Sequence, residues 1–180
     1  MIDASNYVSV KQFDVLLTDL TAEDIAALRI EGVQHLSLAA NRGARTLKGI
    51  TVGENARVLV AAVVSRAARP SSVARNVIML VDTGSPYVFL CRRTWEALGV
   101  RLEDLPNDQA FILINGVRVL AHVSSNHFED IDVLGASFLQ NCNLAVNYPE
   151  QTAELVVVPI PDDVPSGSAP ATAASITPHG

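Results

Sequence analysis

Residues 77–85 have the sequence VIMLVDTGS, an unbroken apolar run that ends in Asp-Thr-Gly-Ser. Five consecutive apolar residues, Val77 to Val81, predict a strand that is buried on both faces. Asp and Gly commonly end strands, so the triplet that begins at Asp82 predicts, by itself, only a turn. The segments on either side of it must therefore decide the fold and the role of the turn.

Short apolar segments separated by turn residues surround this stretch on both sides. The chain is 49% hydrophobic but only 5% aromatic, and its many Val and Ile residues favour stacked strands. The dipeptide Asn115-Gly116 predicts a tight hairpin, and two short helices are predicted at Thr94–Leu98 and Ala136–Gln140. The sequence therefore predicts an all-β fold whose further strands are Ile50–Val52, Arg57–Val64, Tyr87–Leu90, Phe111–Ile114, Val117–Val123, Leu144–Val146 and Leu155–Val158.

Residues 1–48 form a first region, predicted to be either a small β/α appendage or an arm packed on the main domain. Thr21 and Asp24 form a capping box that predicts a helix reaching about Glu31, where Gly32 ends it. Strands are predicted before and after this helix, over 13–17 and 34–40.

Residues 49–158 form the main domain. Within it the polar, arginine-bearing stretch 65–76 is predicted to be an exposed loop. Residues 159–180 are rich in Pro, Ala, Ser and Thr, which predicts a disordered tail.

Three segments of the main domain carry a resemblance to a known family: VDTGSPYVFL (81–90), WEALGV (95–100) and IDVLGASFLQNCNLAVNY (131–148). Together they resemble the retropepsin-like aspartic proteases, which include protease domains of retroviruses, retrotransposons and ubiquitin-shuttle proteins. The resemblance covers roughly 47–158. It implies a closed β-barrel or sandwich of short strands with Asp82 as the catalytic carboxylate.

Aspartic proteolysis needs two carboxyl groups that share a proton, because two like charges about 3 Å apart cannot both ionise. One carboxylate takes a proton from the attacking water and the other carboxyl donates one to the peptide carbonyl. This sequence contains no second Asp-Thr-Gly, and the corresponding place in its second half has Ser124-Ser125-Asn126. The resemblance therefore implies a homodimer in which each copy supplies Asp82.

The resemblance also implies supporting roles around Asp82. Thr83 would lock the two site loops together, and Gly84 would let the loop backbone approach the carboxylates. Ser85 would hydrogen-bond the catalytic carboxylate, while Gly135 would let the chain pass closely behind the loop. The implied substrate is an extended peptide or polyprotein, such as that of a retroelement, cleaved without a metal or a cofactor.

Residues 101–110 depart from the family pattern, because a glycine-bearing β-hairpin flap is expected there and the chain has only RLEDLPNDQA. A shortened flap would leave the cleft wetter and the transition state less enclosed. This departure motivates a second hypothesis, a non-catalytic dimerisation or peptide-binding module that keeps the fold. A third hypothesis is an unrelated, monomeric β-domain in which Asp82 lies in an ordinary turn.

The net charge and the composition of the chain narrow the classes of partner that are expected. A net charge of −6 argues against a nucleic-acid partner. No signal peptide or membrane-spanning run is visible, which predicts a cytoplasmic protein without a membrane partner. Cys91 and Cys142 are interpreted as small core residues. The pair His122 and His127 is compatible with a metal site, but a solvated polar turn is the preferred interpretation.

Overall fold

The computed structural model describes residues 20–40, 43–68, 73–125 and 129–158. Short strands predominate in these ranges, and none of the helices there is long and apolar enough to cross a membrane. The strands are β1 (Arg29–Ile30), β2 (Val33–Gln34), β3 (Thr46–Val52), β4 (Arg57–Arg66), β5 (Arg75–Val81), β6 (Val88–Leu90), β7 (Gln109–Ile114), β8 (Val117–Val123), β9 (Val133–Leu134), β10 (Cys142–Asn147) and β11 (Thr152–Val157). The α-helices are α1 (Ala22–Ala27), α2 (Arg92–Ala97) and α3 (Ala136–Leu139), and two 3-10 turns lie at Leu102–Asp104 and Pro106–Asp108.

Six of the strands close into a barrel. Strand β4 pairs with β5, and the ring continues through β9, β6, β8 and β7 until β7 pairs with β4 again. The pairs β5–β9 and β6–β8 are parallel, whereas the other four pairs of the ring are antiparallel. Strands β3, β11 and β10 extend the sheet outward from β4 in that order. The predicted all-β fold, with short helices between short strands, is confirmed.

Strand β4 belongs both to the barrel and to the outer strands because it is 10 residues long. The first part of one edge pairs with β3, where Val60 lies opposite Gly49. The last part of the same edge pairs with β7, where Val64 lies opposite Ile114. One long strand thus closes the ring and holds the outer sheet.

Strand β5 is buried on both faces, as its apolar run predicts. Val77 and Met79 point into the barrel core, whereas Ile78 and Leu80 belong to a second apolar cluster on the other face. That second cluster contains residues from the first region of the chain, among them Ile25 of α1. Fully burying a side chain of this size is worth about 1.5–3 kcal/mol, so residues 20–30 contribute to the stability of the strand that leads to Asp82.

The predicted start of α1 is confirmed, but its predicted end is wrong. The Asp24 amide donates to Thr21 Oγ1 at 3.2 Å, and the Thr21 amide donates to Asp24 Oδ2 at 2.9 Å, which completes the capping box. The helix ends at Ala27 instead of continuing to Glu31. The chain turns into the β1–β2 hairpin because this buries Ile30, and Gly32 lies in its turn with φ of +80°.

The strand predicted over residues 34–40 is also largely wrong, since β2 ends at Gln34. Residues 35–39, which we call the edge segment, instead lie along the free edge of β5. The Leu36 amide donates to the Asn76 carbonyl at 2.7 Å, and the Asn76 amide donates to the Ser37 carbonyl at 2.9 Å. The edge segment therefore covers the first half of this edge of β5, and the second half of the same edge pairs with β9.

The prediction of a loop over residues 65–76 is wrong at both ends, and residues 69–72 in its middle lie outside the described residues. Strand β4 extends through Arg66, and β5 already begins at Arg75. Arg66 pairs with Ile112, and Arg75 pairs with Val64, because backbone pairing is indifferent to the polarity of the side chains. The strand predicted over 13–17 and the tail predicted over 159–180 lie outside the described residues.

Asn115 holds the β7–β8 hairpin against its neighbours, and φ is positive at both Asn115 and Gly116, as a tight hairpin requires. Its Oδ1 accepts the Val63 amide at 2.7 Å, and its Nδ2 donates to the Ala44 carbonyl at 2.6 Å. We expect Asn115→Ala to lower the free energy of unfolding by about 1–3 kcal/mol, because it leaves the part-buried Val63 amide without its acceptor. Urea denaturation followed by the fluorescence of Trp95, the single tryptophan, measures this loss.

Asn115→Asp is the matched control for this prediction. Aspartate keeps an acceptor for the Val63 amide and tolerates positive φ, but it cannot donate to the Ala44 carbonyl. An intermediate loss is expected. Equal stability of Asn115→Ala and the wild-type chain would show that the contacts of this side chain do not hold the hairpin.

Candidate active site

The loop that follows β5 holds the carboxylate of Asp82 in a fixed orientation. Oδ1 accepts the Gly84 amide at 2.9 Å, and Oδ2 accepts the Ser85 hydroxyl at 2.7 Å. The Ser85 amide also donates to the Asp82 carbonyl at 3.3 Å, which closes the turn. The Asp82 side chain is half-buried, so both oxygens are oriented while the group still reaches the surface.

The site loop is fastened from behind by β9 and the start of α3. The Asp82 amide donates to the Leu134 carbonyl at 3.1 Å, and the Ala136 amide donates to the Ser85 carbonyl at 2.7 Å. Gly135 lies between these contacts with an ordinary extended φ of −96°. A Cβ on Gly135 would lie 2.6 Å from the Ser85 carbonyl oxygen and closer still to that of Tyr87. Glycine is required here because the two backbones pass so close together.

The tip of the loop faces outward. Thr83 and Gly84 are both exposed, and a Cβ on Gly84 would lie 3.2 Å from Asp82 Oδ1. The structure thus brings Asp82, Thr83, Gly84, Ser85 and Gly135 into one loop with its support. A second copy of the chain could approach this exposed tip without first displacing a core residue.

Sequence reasoning missed Asp132, a deeply buried carboxyl immediately before β9. Its side chain is 1% exposed. Oδ1 accepts the Cys91 amide at 2.8 Å and Oδ2 accepts the Thr94 hydroxyl at 2.6 Å, so the carboxyl caps the start of α2. Its backbone carbonyl accepts the Leu80 amide at 2.8 Å, two residues before Asp82. A single charged residue inside the apolar run that begins at Ile131 was the available signal.

Burial determines the proton affinity of Asp132. Removal from water raises the pKa of its carboxyl from 3.8 to about 7, although the hydrogen bonds from Thr94 and Cys91 act in the opposite direction. The raised pKa means that this carboxyl is mostly protonated in mildly acidic solution.

His35 of the edge segment lies next to Asp132. Its Nδ1 accepts the Ile78 amide of β5 at 3.1 Å, and its Nε2 lies 3.8 Å from Asp132 Oδ2. Burial, followed by the charge of Arg93, lowers the pKa of His35 from 6.5 to about 4. The distance of 3.8 Å is too long for a hydrogen bond, and desolvation therefore dominates the proton affinity of both groups.

The segment in place of a flap is a compact stub. Residues 102–108 form the two 3-10 turns instead of a hairpin. Arg101 anchors the first turn through two hydrogen bonds to the Asp104 carboxylate, at 2.9 and 3.0 Å. Pro106 lines an open groove of about 730 Å³ together with Phe111, whose ring lies 4.0 Å from the guanidinium carbon of Arg118. A short, turn-forming segment, as the sequence indicates, occupies this position.

The remaining histidine and cysteine candidates within the described residues are His122, Cys91 and Cys142. His122 packs on the ring of Tyr87 with centroids 4.7 Å apart, and His127 lies outside the described residues. Within the described ranges, no group of three or more His, Cys, Asp or Glu side chains could hold a metal ion. Cys91 and Cys142 are free thiols, and burial raises the pKa of each to about 11.

Gly135→Ala tests the close backbone passage behind the site loop. We expect it to destabilise the chain by roughly 1–3 kcal/mol or more, because a methyl group cannot fit against two carbonyl oxygens of the loop. Gly32→Ala is the matched control, since that position has positive φ but no neighbour within 4 Å, so its cost of about 1 kcal/mol is conformational only. Urea denaturation compares the two variants, and a loss at Gly135 no larger than that at Gly32 would contradict the steric argument.

The chain has a neighbour among proteins of known structure. The chain is similar to a retropepsin-like aspartic protease from Rickettsia conorii, known from a crystal structure, with 16% sequence identity and a TM-score of 0.42. The match covers 61% of this chain and 90% of that chain. No protein-family model matches the chain, and no curated protein matches it either.

Proposed function

We propose that the chain is a homodimeric aspartic endopeptidase with Asp82 as the catalytic carboxylate of each copy. One observation carries the proposal: both Asp82 oxygens are oriented by hydrogen bonds within an exposed loop that β9 and Gly135 fasten from behind. An ordinary Asx turn has the bond from the Gly84 amide, but it does not need the support behind the loop. A site that must hold two carboxyl groups close together does, because their repulsion otherwise separates them.

The proposed mechanism uses the two copies of Asp82 as a pair with one shared proton. The ionised member takes a proton from a water molecule, whose oxygen forms a bond with the peptide carbonyl carbon. The protonated member donates its proton to the carbonyl oxygen. When the tetrahedral intermediate collapses, the carbon–nitrogen bond breaks and the amine leaves with a proton from the pair, while a hydroxyl of the intermediate returns a proton to the pair as the new carboxyl group forms. The two roles belong to the pair and not to one copy.

The neighbouring residues have distinct supporting roles in this proposal. Ser85 keeps the carboxylate coplanar with its mate through the 2.7 Å hydrogen bond. The exposed Thr83 is available to bond the equivalent loop of the second copy. Gly84 leaves room for the second carboxylate beside the first.

The proposed substrate is an extended peptide or polyprotein segment, and a retroelement polyprotein is one such substrate. Extended peptides bind proteases as an added strand, with apolar side chains in flanking pockets. The proposed protease domain spans residues 49–158, preceded by the extension of residues 1–48. A nucleic-acid partner is not proposed, given the net charge of −6.

A second candidate function is a dimerisation or peptide-binding module without catalytic turnover. The observation that favours it is the stub formed by the two 3-10 turns, which encloses less of a bound substrate than a hairpin would. A more hydrated cleft weakens the fixed electrostatic field that stabilises the transition state. The two candidates differ in whether a bound peptide is cut.

Asp82→Asn should abolish cleavage of a mixture of unstructured peptides at mildly acidic pH, because an amide cannot accept a proton from water. The variant should remain folded, since the asparagine Oδ1 can still accept from the Gly84 amide and its Nδ2 can donate to the Ser85 hydroxyl oxygen. Cleavage products are quantified by mass spectrometry at several protein concentrations, and specific activity should rise with concentration as dimers form.

Mixing the two proteins tests whether each site needs two copies of Asp82. An equimolar mixture that exchanges subunits should retain about one quarter of the activity of the same total amount of wild-type protein. If each chain acts alone, about half remains. If the wild-type protein is a folded dimer that binds peptides but cuts none of them, the protease proposal is wrong and the module is favoured.

A further inference from the structure

We propose that Asp132 is a positioning residue for the site loop, and that it forms with His35 a buried, single-proton anchor that holds the edge segment and α2 against the strands flanking Asp82. The anchor itself is a statement about the folded chain. Its consequence for catalysis rests on the function proposed above.

Asp132 joins the elements on which the site loop depends. Its backbone carbonyl binds β5 through the Leu80 amide at 2.8 Å, and its side chain binds the start of α2 through Cys91 and Thr94. It directly precedes β9, whose Leu134 carbonyl accepts the Asp82 amide. A displacement of this side chain would therefore be transmitted to both sides of the Asp82 loop.

His35 extends the connection to the edge segment. The hydrogen bond from the Ile78 amide to Nδ1 requires that Nδ1 carry no proton, so the neutral imidazole has its proton on Nε2. Nε2 faces Asp132 Oδ2 at 3.8 Å. Protonating Nδ1 would break the bond to Ile78 and release the edge segment at this point.

The contacts of Asp132 suit both of its protonation states. When the carboxyl is ionised, the Thr94 hydroxyl donates to Oδ2 at 2.6 Å. When it is protonated, the direction of the same contact can reverse, because Thr94 Oγ1 can accept a hydrogen bond from the carboxyl. The Thr94 hydroxyl can then donate to Cys91 Sγ, which lies 3.4 Å away in a contact where either atom can be the donor. The proton can therefore reside on Asp132 without leaving a buried donor or acceptor unsatisfied.

The surroundings of the pair add few other charges. Together the two side chains line a small cavity of about 120 Å³. The ionisable groups that also line it are Cys91, Arg93 and Asp130, while α1 contributes only apolar residues. Arg93 and Asp130 carry opposite charges. Because both side chains are exposed, solvent screens their charges.

The two groups have opposite effects on stability as the pH changes. The pKa of Asp132 is raised to about 7 from 3.8, so its stabilising contribution is complete below pH 3.8 and is lost as the pH rises through about 7. The pKa of His35 is lowered to about 4 from 6.5, so its contribution is complete above pH 6.5 and is lost as the pH falls through about 4. Between about pH 4 and 6.5 the two pH dependences are opposite in sign and cancel. In this range the carboxyl is protonated and the imidazole is neutral, so the pair has no net charge.

Removing one member should expose the pH dependence of the other. His35→Asn keeps an acceptor for the Ile78 amide, and its unfolding constant should increase up to about tenfold per pH unit between pH 4 and 7. Asp132→Asn keeps the Cys91 contact, and its unfolding constant should decrease up to about tenfold per pH unit between pH 4 and 6.5. The double variant supplies the reference. Relative to it, the unfolding constant of the wild-type chain should change little with pH up to about pH 6.5.

Urea denaturation monitored by Trp95 fluorescence measures the four chains. Parallel pH profiles in all four would overturn the anchor. If a variant fails to fold, titration of the His35 ring by NMR in the wild-type chain decides the matter. A ring that titrates near pH 6.5, the ordinary value, would refute the anchor, and one that stays neutral below pH 5 would support it.

Catalysis gives a separate result. Cleavage also declines with rising pH when the Asp82 pair loses its shared proton. If Asp132 positions the site loop, its ionisation through about pH 7 places a buried net charge beside β9 and should lower wild-type cleavage further. In Asp132→Asn the pH of this decline should move upward, whereas a purely structural defect would lower kcat/KM equally at every pH. An unchanged decline would overturn the positioning role. A wild-type chain that cuts no peptide would overturn the proposed function but leave the stability result intact.

Discussion

The parallel pairing of β5 with β9 is the constraint on which the rest of the site depends. It brings the end of one strand, at Asp82, beside the end of another, at Gly135, although about fifty residues separate them. The missing side chain of Gly135 then allows the backbone to pass directly behind the loop, where Ala136 and Ser137 donate to the loop carbonyls. The carboxylate is oriented because the loop that carries it is hydrogen-bonded on both sides.

Burying β5 on both faces has a consequence for the first region of the chain. One face belongs to the barrel core, so the opposite face needs a cover, which Ile25 and Ile30 provide. The free edge needs hydrogen-bond partners, and the edge segment provides them beside His35. Residues within 20–40 thus pack on β5 and bond to its edge, supporting the strand that leads to Asp82.

In the function proposed above, the site is one half of a centre that a second copy completes. It offers one oriented carboxylate and an exposed tip at Thr83 and Gly84, while its sides and back are hydrogen-bonded within the chain. The buried carboxyl of Asp132 lies immediately before β9 and is hydrogen-bonded to the start of α2. The two acids therefore differ in their surroundings, since Asp82 is half-buried in a loop that reaches the surface and Asp132 is buried beside α2.

The sequence by itself determined the features that depend on neighbours along the chain. The period of the apolar residues gave β8 with its observed bounds, Asn115-Gly116 gave the hairpin turn, and Thr21 with Asp24 gave the start of α1. It also gave the residues of the site loop, because Asp-Thr-Gly-Ser follows a fully apolar strand. Only the tertiary structure decided the end of α1, the path of residues 35–39 and the proximity of Asp132 to His35. Each of these depends on burial or on backbone partners that are distant in sequence, as with Asp132 and His35, which are nearly one hundred residues apart.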